Sequence, residues 1–268
     1  MNAPQTTGRK WERLSRRERI SRFFRLFVIA LAVSLSMNYI EVIPEFIKDA
    51  PVQVLDLFRR MWPIDFAYYP GGIHKALVDT LHIATLGTLL CLCMSLPIGL
   101  MVARNICKNR VINWLGMFLL VASRSVSVLV WALLFVAVFG PGPLAGMITI
   151  AIRSIGFVGK LFGEALEETH TGPIEALRAA GASPVSIFIK GYWPQVLPAF
   201  WAIALFRWDI NVRESSVIGL VGAGGIGLAL DEALALFHWD RVALILLCIF
   251  IIVIIGEMLV TQIRKKII

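Results

Sequence analysis

Three arginines, Arg153, Arg207 and Arg213, fall within stretches apolar enough to lie in hydrocarbon. A guanidinium at the centre of a bilayer costs about 2.5–3.5 kcal/mol on insertion scales, so each has to face protein or water. On a helix Arg207, Asn211 and Glu214 share one stripe, while Asp209 and Arg213 stand four apart on roughly the opposite face, acid before base. Two chemistries fit these residues. The charges pair internally and pin neighbouring helices, or Arg153, Arg207, Asn211 and Arg213 line a path for a small oxyanion, whose shape and charge suit guanidinium groups. Arg153 and Arg207 favour the second, because neither has an acid four residues away in its own helix.

Other chemistry-bearing patterns are weaker. Gly222, Gly224 and Gly227 match the G-x-G-x-x-G spacing of dinucleotide sites, but that site needs a preceding strand and an acid about twenty residues on. Here the run, with Gly225 inside it, follows an apolar helix, so it reads as a bend or gate where backbones cross closely. The stretch GFVGKL has Gly159-Lys160 followed by Leu161, with Ser154 where a phosphate loop needs its first Gly, so the chain is expected not to bind ATP itself. His74, His82, His170 and His238 are scattered, and no His-Glu-x-x-His or Gly-x-Ser-x-Gly occurs. No catalytic residue, metal ligand or cofactor site is expected on this chain. Cys91, Cys93 and Cys248 lie in apolar runs and Cys107 in a polar turn; Cys91 and Cys93, two apart, point to different helix faces and serve packing.

The elements that must carry these residues are membrane spans. The 268 residues are 58% hydrophobic and only 16% charged, with mean hydropathy +0.77, and apolar runs near bilayer length recur. Spans are expected at 23–40, about 75–103, 113–139 with an interruption at Ser-Arg-Ser-Val-Ser, 144–163, 195–213 and 241–262. The net charge of +8 is not spread as a nucleic-acid surface would need. Arg9, Lys10, Arg13, Arg16, Arg17 and their neighbours precede the first run, where Trp11, Leu14 and Ile20 could rest on a leaflet. Arg104, Lys108 and Arg110 follow the second run, and Arg264, Lys265 and Lys266 the last. The interval 41–72 carries three basic and five acidic residues, whereas 104–110 carries three basic and none acidic. That asymmetry predicts six spans with both termini cytoplasmic. The chain then divides into a basic tail (1–22), a first span with an external interval whose aromatics suit an interface belt (23–72), and a transmembrane core (73–268).

One cytoplasmic connection stands apart. Residues 171–194, TGPIEALRAAGASPVSIFIKGYWP, read as two short capped helices. Pro173 suits a first helical position behind Thr171 or Gly172, Glu175 suits the first turn, Gly181 a left-handed stop, and Ser183-Pro184 a second cap and start. Ile174, Leu177, Val185 and Phe188 form an apolar surface against Glu175, Arg178 and Lys190. Loops in compact domains usually run about 4–6 residues, so an ordered segment this long reads as a docking surface for another protein.

This segment resembles the "EAA" loop of ABC importer permeases: Glu-Ala-Ala, three residues, Gly, nine residues, then Ile-x-Leu-Pro. Glu175, Ala176, Gly181 and Pro194 hold that register, while Leu177 replaces the third-position Ala, Gly191 the Ile and Trp193 the Leu. Residues 123–136 and 206–227 look like segments of the phosphonate, phosphite and hypophosphite branch. The resemblance implies an all-α integral membrane protein of type I ABC importer permease fold. It makes Glu175, Ala176, Arg178, Gly181, Ala182, Ser183 and Pro184 the coupling surface for a dimer of ATPase subunits, which bind ATP and Mg. It also implies a second permease chain, identical or related, a periplasmic or lipoprotein binding protein that delivers substrate, and a bacterial inner membrane. ATP-driven closure would move the segment and switch a path between the fourth and fifth spans. The alternative, a secondary carrier or channel for a small anion, predicts an inverted repeat that the sequence does not show.

Overall fold

Long apolar runs become long helices because hydrocarbon offers no partner for an open peptide group. The computed structural model describes residues 16–39 and 44–267, with no strand among them. Arg9, Lys10, Trp11, Arg13, Leu14 and Glu41 lie outside the described residues. The chain divides into two units, 1–56 and 57–268. In the first, α1 (Arg16–Tyr39) supplies an apolar run and α2 (Pro44–Arg60) follows it. Phe46, Ile47, Val54 and Phe58 share one face of α2, with Glu45, Asp49 and Asp56 on the other, so the interval expected to be merely polar is an amphipathic helix.

The second unit begins with short turns at Phe66–Tyr68 and Tyr69–Ile73 and then α3 (His74–Val102). Next come α4 (Arg110–Ser125), α5 (Val128–Phe139), α6 (Pro143–Glu167), α7 (Thr171–Ala179), α8 (Pro184–Ile187), α9 (Trp193–Ile218), α10 (Ile226–Ala235) and α11 (Trp239–Ile267). Among the described residues, five helical stretches are long and apolar enough to cross a membrane, or six if α4 and α5 count as one. Those two meet at 92°, so the interruption expected in the third span is a sharp break. Ser123 and Ser125 each turn a hydroxyl back onto the carbonyl three residues earlier, at 3.2 and 3.0 Å, and Val126 is extended. Such back-bonding competes with the helical ladder.

Packing centres on α3, α6 and α9, which bury Ile83, Cys91, Ile150, Val158, Phe162 and Phe200. A Cβ on Gly87 would stand 2.8 Å from an Ile150 methyl, so α3 and α6 approach closely only because it is absent. Helices α4 and α5 pack on α6, and α11 on α9. Their outer side chains, among them Trp114, Leu133, Phe250 and Ile255, are apolar and exposed, as a surface bathed in lipid has to be. At one end, side chains close the helix termini. Asn105 donates to the Leu166 carbonyl at 2.6 Å, Asn113 to the Val102 carbonyl at 2.6 Å, and the Arg104 amide to Glu167 at 2.8 Å. Asn109 caps α4 by accepting from the Val111 amide.

Candidate functional site

The polar stripe of α9 does not face open space. Arg207 is 3% exposed. Its Nη2 donates to Glu214 at 2.8 Å and its Nε to Ser154 of α6, also at 2.8 Å. Ser154 donates to the Asn211 side-chain carbonyl, and the Asn211 amide donates to Thr88 of α3 at 2.7 Å. Five side chains from three helices thus satisfy one another, and the Phe157 ring lies 5.8 Å from the guanidinium. Arg207 has no acid four residues away, and its partner is Glu214, two turns along the stripe that the spacing predicts. The Asp209–Arg213 pair forms as the spacing predicts, with Asp209 buried and Arg213 half-exposed.

Arg153 is different. It forms no ion pair among the described residues, and its buried Nε has no hydrogen-bond partner. It directly precedes Ser154, the α6 partner of Arg207. Arg124, which lies in the interrupting Ser-Arg-Ser-Val-Ser but is not among the expected site residues, occupies the last turn of α4 beside the 92° break. It too is unpaired among the described residues, and it is exposed. A charge interrupting an apolar run is the sequence signal for it. Facing lipid, either arginine would cost about 2.5–3.5 kcal/mol, so both address water or another chain.

The glycine run closes the far end of the same three helices. Gly222, Gly224 and Gly225 have φ of +84°, +81° and +75°, conformations that side chains disfavour. The turn folds between α9 and α10, where the Gly142 amide donates to the Gly222 carbonyl and the Ile226 amide to the Thr80 hydroxyl. A Cβ on Gly224 would stand 2.8 Å from the Pro143 nitrogen, and one on Gly227 2.8 Å from the Gly219 Cα.

At the opposite end, segment 171–194 folds as two short helices. Gly181 has φ +75°, the Ala182 amide returns to the Leu177 carbonyl and the Gly181 amide to the Arg178 carbonyl, each at 3.0 Å, which is a Schellman closure. Ser183 caps α8 by accepting from the Ser186 amide. The first helix starts two residues earlier than the spacing suggests: Thr171 is already helical, His170 sits at the cap without a side-chain bond, and Pro173 is third. Its missing N–H still costs nothing there, since the first four amides are unpaired in any helix. Ile174, Ile187 and Tyr192 bury against Phe162, Val196 and Phe200, which seats the segment on the ends of α6 and α9. Gln195 clamps it further, accepting from the His170 amide at 2.9 Å and donating to the Gly191 carbonyl at 2.7 Å. Glu175, Ala176, Arg178, Gly181, Ser183 and Pro184 point outward, and Ala182 is half-buried. Val185 departs from the expected apolar surface: it is 67% exposed and, with Ile189, leaves a bare apolar spot beside the charged residues.

Residues 95–268 match the family described as binding-protein-dependent transport system inner membrane component. Over 212 residues the chain is 39% identical to the phosphite transport system permease protein PtxC of Stutzerimonas stutzeri, covering 79% of this chain and 77% of that protein. It is 32% identical over 252 residues to the phosphate-import permease protein PhnE of Mycolicibacterium smegmatis, covering 94% of this chain and 47% of that one. A solved inward-facing form of the MetNI methionine ABC transporter superposes with TM-score 0.61 at 27% identity, over 71% of this chain and 93% of its own. A bacterial ABC transporter involved in alginate import shares the fold, at TM-score 0.61 and 12% identity, over 92% and 97%. By its sequence match over more than half its length and its type I importer architecture, the chain belongs to the inner membrane components of binding-protein-dependent transport systems, the permeases of ABC importers.

Proposed function

We propose that this chain is the membrane permease of an ATP-driven importer for a small phosphorus oxyanion: phosphonate, phosphite or hypophosphite. The observation that carries the importer reading is the capped segment 171–194, seated on α6 and α9 with Glu175 and Arg178 outward. A segment held this firmly transmits a push at its surface to the helices that bear the buried cations. The oxyanion reading draws support from the relatives named for phosphite and phosphate, and from arginines at mid-membrane. In this reading the chain is not itself an enzyme. ATP and Mg bind to two partner ATPases, a second permease chain completes the path, and an external binding protein delivers the substrate. The basic turn at Arg104, Lys108 and Arg110 orients that end, and both termini, toward the cytoplasm. Arg153 is the path residue of first choice, because Arg207 is neutralised by Glu214 and Arg213 by Asp209. The glycine run at Gly222–Gly227 serves as the bend or gate.

Glu175→Lys tests the docking face. Reversing an exposed charge leaves the fold alone but opposes a complementary partner surface. The expected result is a permease present at normal level in the membrane with its ATPase no longer co-purifying and uptake lost. Retained assembly and transport would remove the coupling assignment. Substrate identity is read by asking which oxyanion, presented on the binding protein, stimulates ATP hydrolysis by the reconstituted complex.

A further inference from the structure

Arg124 is a mid-membrane cation that neither packing nor an ion pair explains. Its stem lies over Gly156, where a Cβ would run into Arg124 Cγ, Ser123 Oγ and the Leu120 carbonyl. Gly156 is near the middle of α6, a helix of 25 residues and about 37 Å. Arg124 therefore sits near mid-depth. Either headgroup level is roughly 15 Å away, further than an arginine side chain extends, so the charge cannot snorkel out.

Arg153 stands one turn from Gly156, a spacing that sets Cβ positions about 5–6 Å apart on one helix face. Arg207 arrives from α9 on the other flank, bonded to Ser154. Three arginines from three helices thus reach the stretch Arg153–Gly156 of α6: Arg207 through its bond to Ser154, Arg124 through its stem at Gly156, and Arg153 from α6 itself. Glu214 is the only carboxylate bonded to any of them among the described residues, and Asp209 is taken by Arg213. Two positive charges remain without a counter-ion. Ser127, at the cap of α5 in the same break, makes no cap hydrogen bond and leaves a hydroxyl to share.

We propose that Arg124 and Arg153 form a binding site for a phosphorus oxyanion carrying two negative charges, assembled where the third span breaks. The proposal rests on the reading of this chain as an oxyanion permease and names which residues hold the anion. A dianion neutralises both uncompensated charges and accepts from two planar donor forks at once. A monoanion leaves one charge bare, so the site selects by charge. Glu214 keeps Arg207 out of direct contact, and Arg207 contributes only its field.

The test uses the assembled complex, with its ATPase and binding protein, in proteoliposomes. Phosphite is the doubly charged probe and hypophosphite the singly charged one. Arg124→Met is expected to cut phosphite uptake about 10- to 100-fold, the loss of one charge-assisted bond, and hypophosphite uptake by clearly less. Arg124→Lys, which keeps the charge but not the fork, is expected to retain phosphite uptake at an intermediate level. If the Met variant assembles poorly, Arg124→Gln, which removes the charge but keeps a polar side chain, replaces it, again with phosphite the more affected. Unchanged phosphite uptake in Arg124→Met, or equal losses for both anions, overturns the site. A wild-type complex that imports none of phosphite, hypophosphite and methylphosphonate sinks the oxyanion reading itself, which separates the two failures.

Discussion

Arg207 and Glu214 pose a question that their sequence spacing states but does not answer. Seven residues apart on a helix, they share a face, and the stripe Arg207–Asn211–Glu214 is legible from helical periodicity alone. What the stripe meets is not legible, because Ser154 and Thr88 come from helices more than fifty residues away. The closed network makes Arg207 a tie between α6 and α9. Taking away one member of a buried ion pair strands the other, at a cost of about 3–5 kcal/mol, whereas replacing both by apolar groups is often neutral. Arg207→Met alone is therefore expected to lower the thermal stability of the purified permease sharply, and Arg207→Met with Glu214→Met to restore most of it. A double variant as unstable as the single would show that the guanidinium has another essential partner. Arg153 and Arg124 are the contrasting cases. Their lack of partners is a property of the assembled helices, and the contact of Arg124 with Gly156 comes from the packing of α4 on α6, which composition does not encode.

Among the elements, segment 171–194 is the most readable from its residues, and for a local reason. Gly181 and Ser183 act within three residues of themselves, through a left-handed backbone and a hydroxyl cap. Features that depend on tertiary contact are less readable, such as the start at Thr171 and the outward turn of Val185. Two of the three departures from the family motif also make sense together. A Cβ on Gly191 would meet a Leu177 methyl at 3.2 Å, so a large residue at 177 in place of Ala is accommodated by a small one at 191 in place of Ile. The pair keeps one apolar contact with its bulk moved to the opposite side. Leu177→Ala is expected to cost about 1–2 kcal/mol, below the roughly 2–5 kcal/mol of a fully buried site, because Leu177 is only half-buried. Gly191→Ile should cost about 1–3 kcal/mol by overpacking. The double variant is expected to lose less than the sum, with a coupling of about 0.5–3 kcal/mol read from thermal unfolding and from the amount of ATPase co-purified. Strict additivity would mean that the two positions do not compensate each other.

At the scale of the whole molecule, the number of spans follows from composition, because a bilayer demands about twenty apolar residues per crossing whatever the neighbours are. Their arrangement does not, since α3, α6 and α9 are brought together by small residues and buried polar bonds from distant parts of the chain. Orientation is the remaining global property, and the four native cysteines offer a way to read it. Cys91 is buried in the protein, while Cys93 and Cys248 belong to the apolar spans; Cys107 alone lies in a connection between helices, partly exposed, 3.8 Å from the Asn109 carbonyl. Maleimides react with thiolates, and a thiol in hydrocarbon or a dry core does not ionise readily. A membrane-impermeant maleimide should therefore spare the protein in intact cells, where only the external face is reached, and modify it in inverted vesicles. Cys107→Ser should abolish that labelling while leaving the other three thiols in place. The expectation that Cys107 is cytoplasmic rests on the positive charges of Arg104, Lys108 and Arg110 around it, so the labelling experiment tests the charge asymmetry directly. Rapid labelling of Cys107 from outside intact cells would reverse the orientation and put segment 171–194 on the wrong side of the membrane to meet an ATPase.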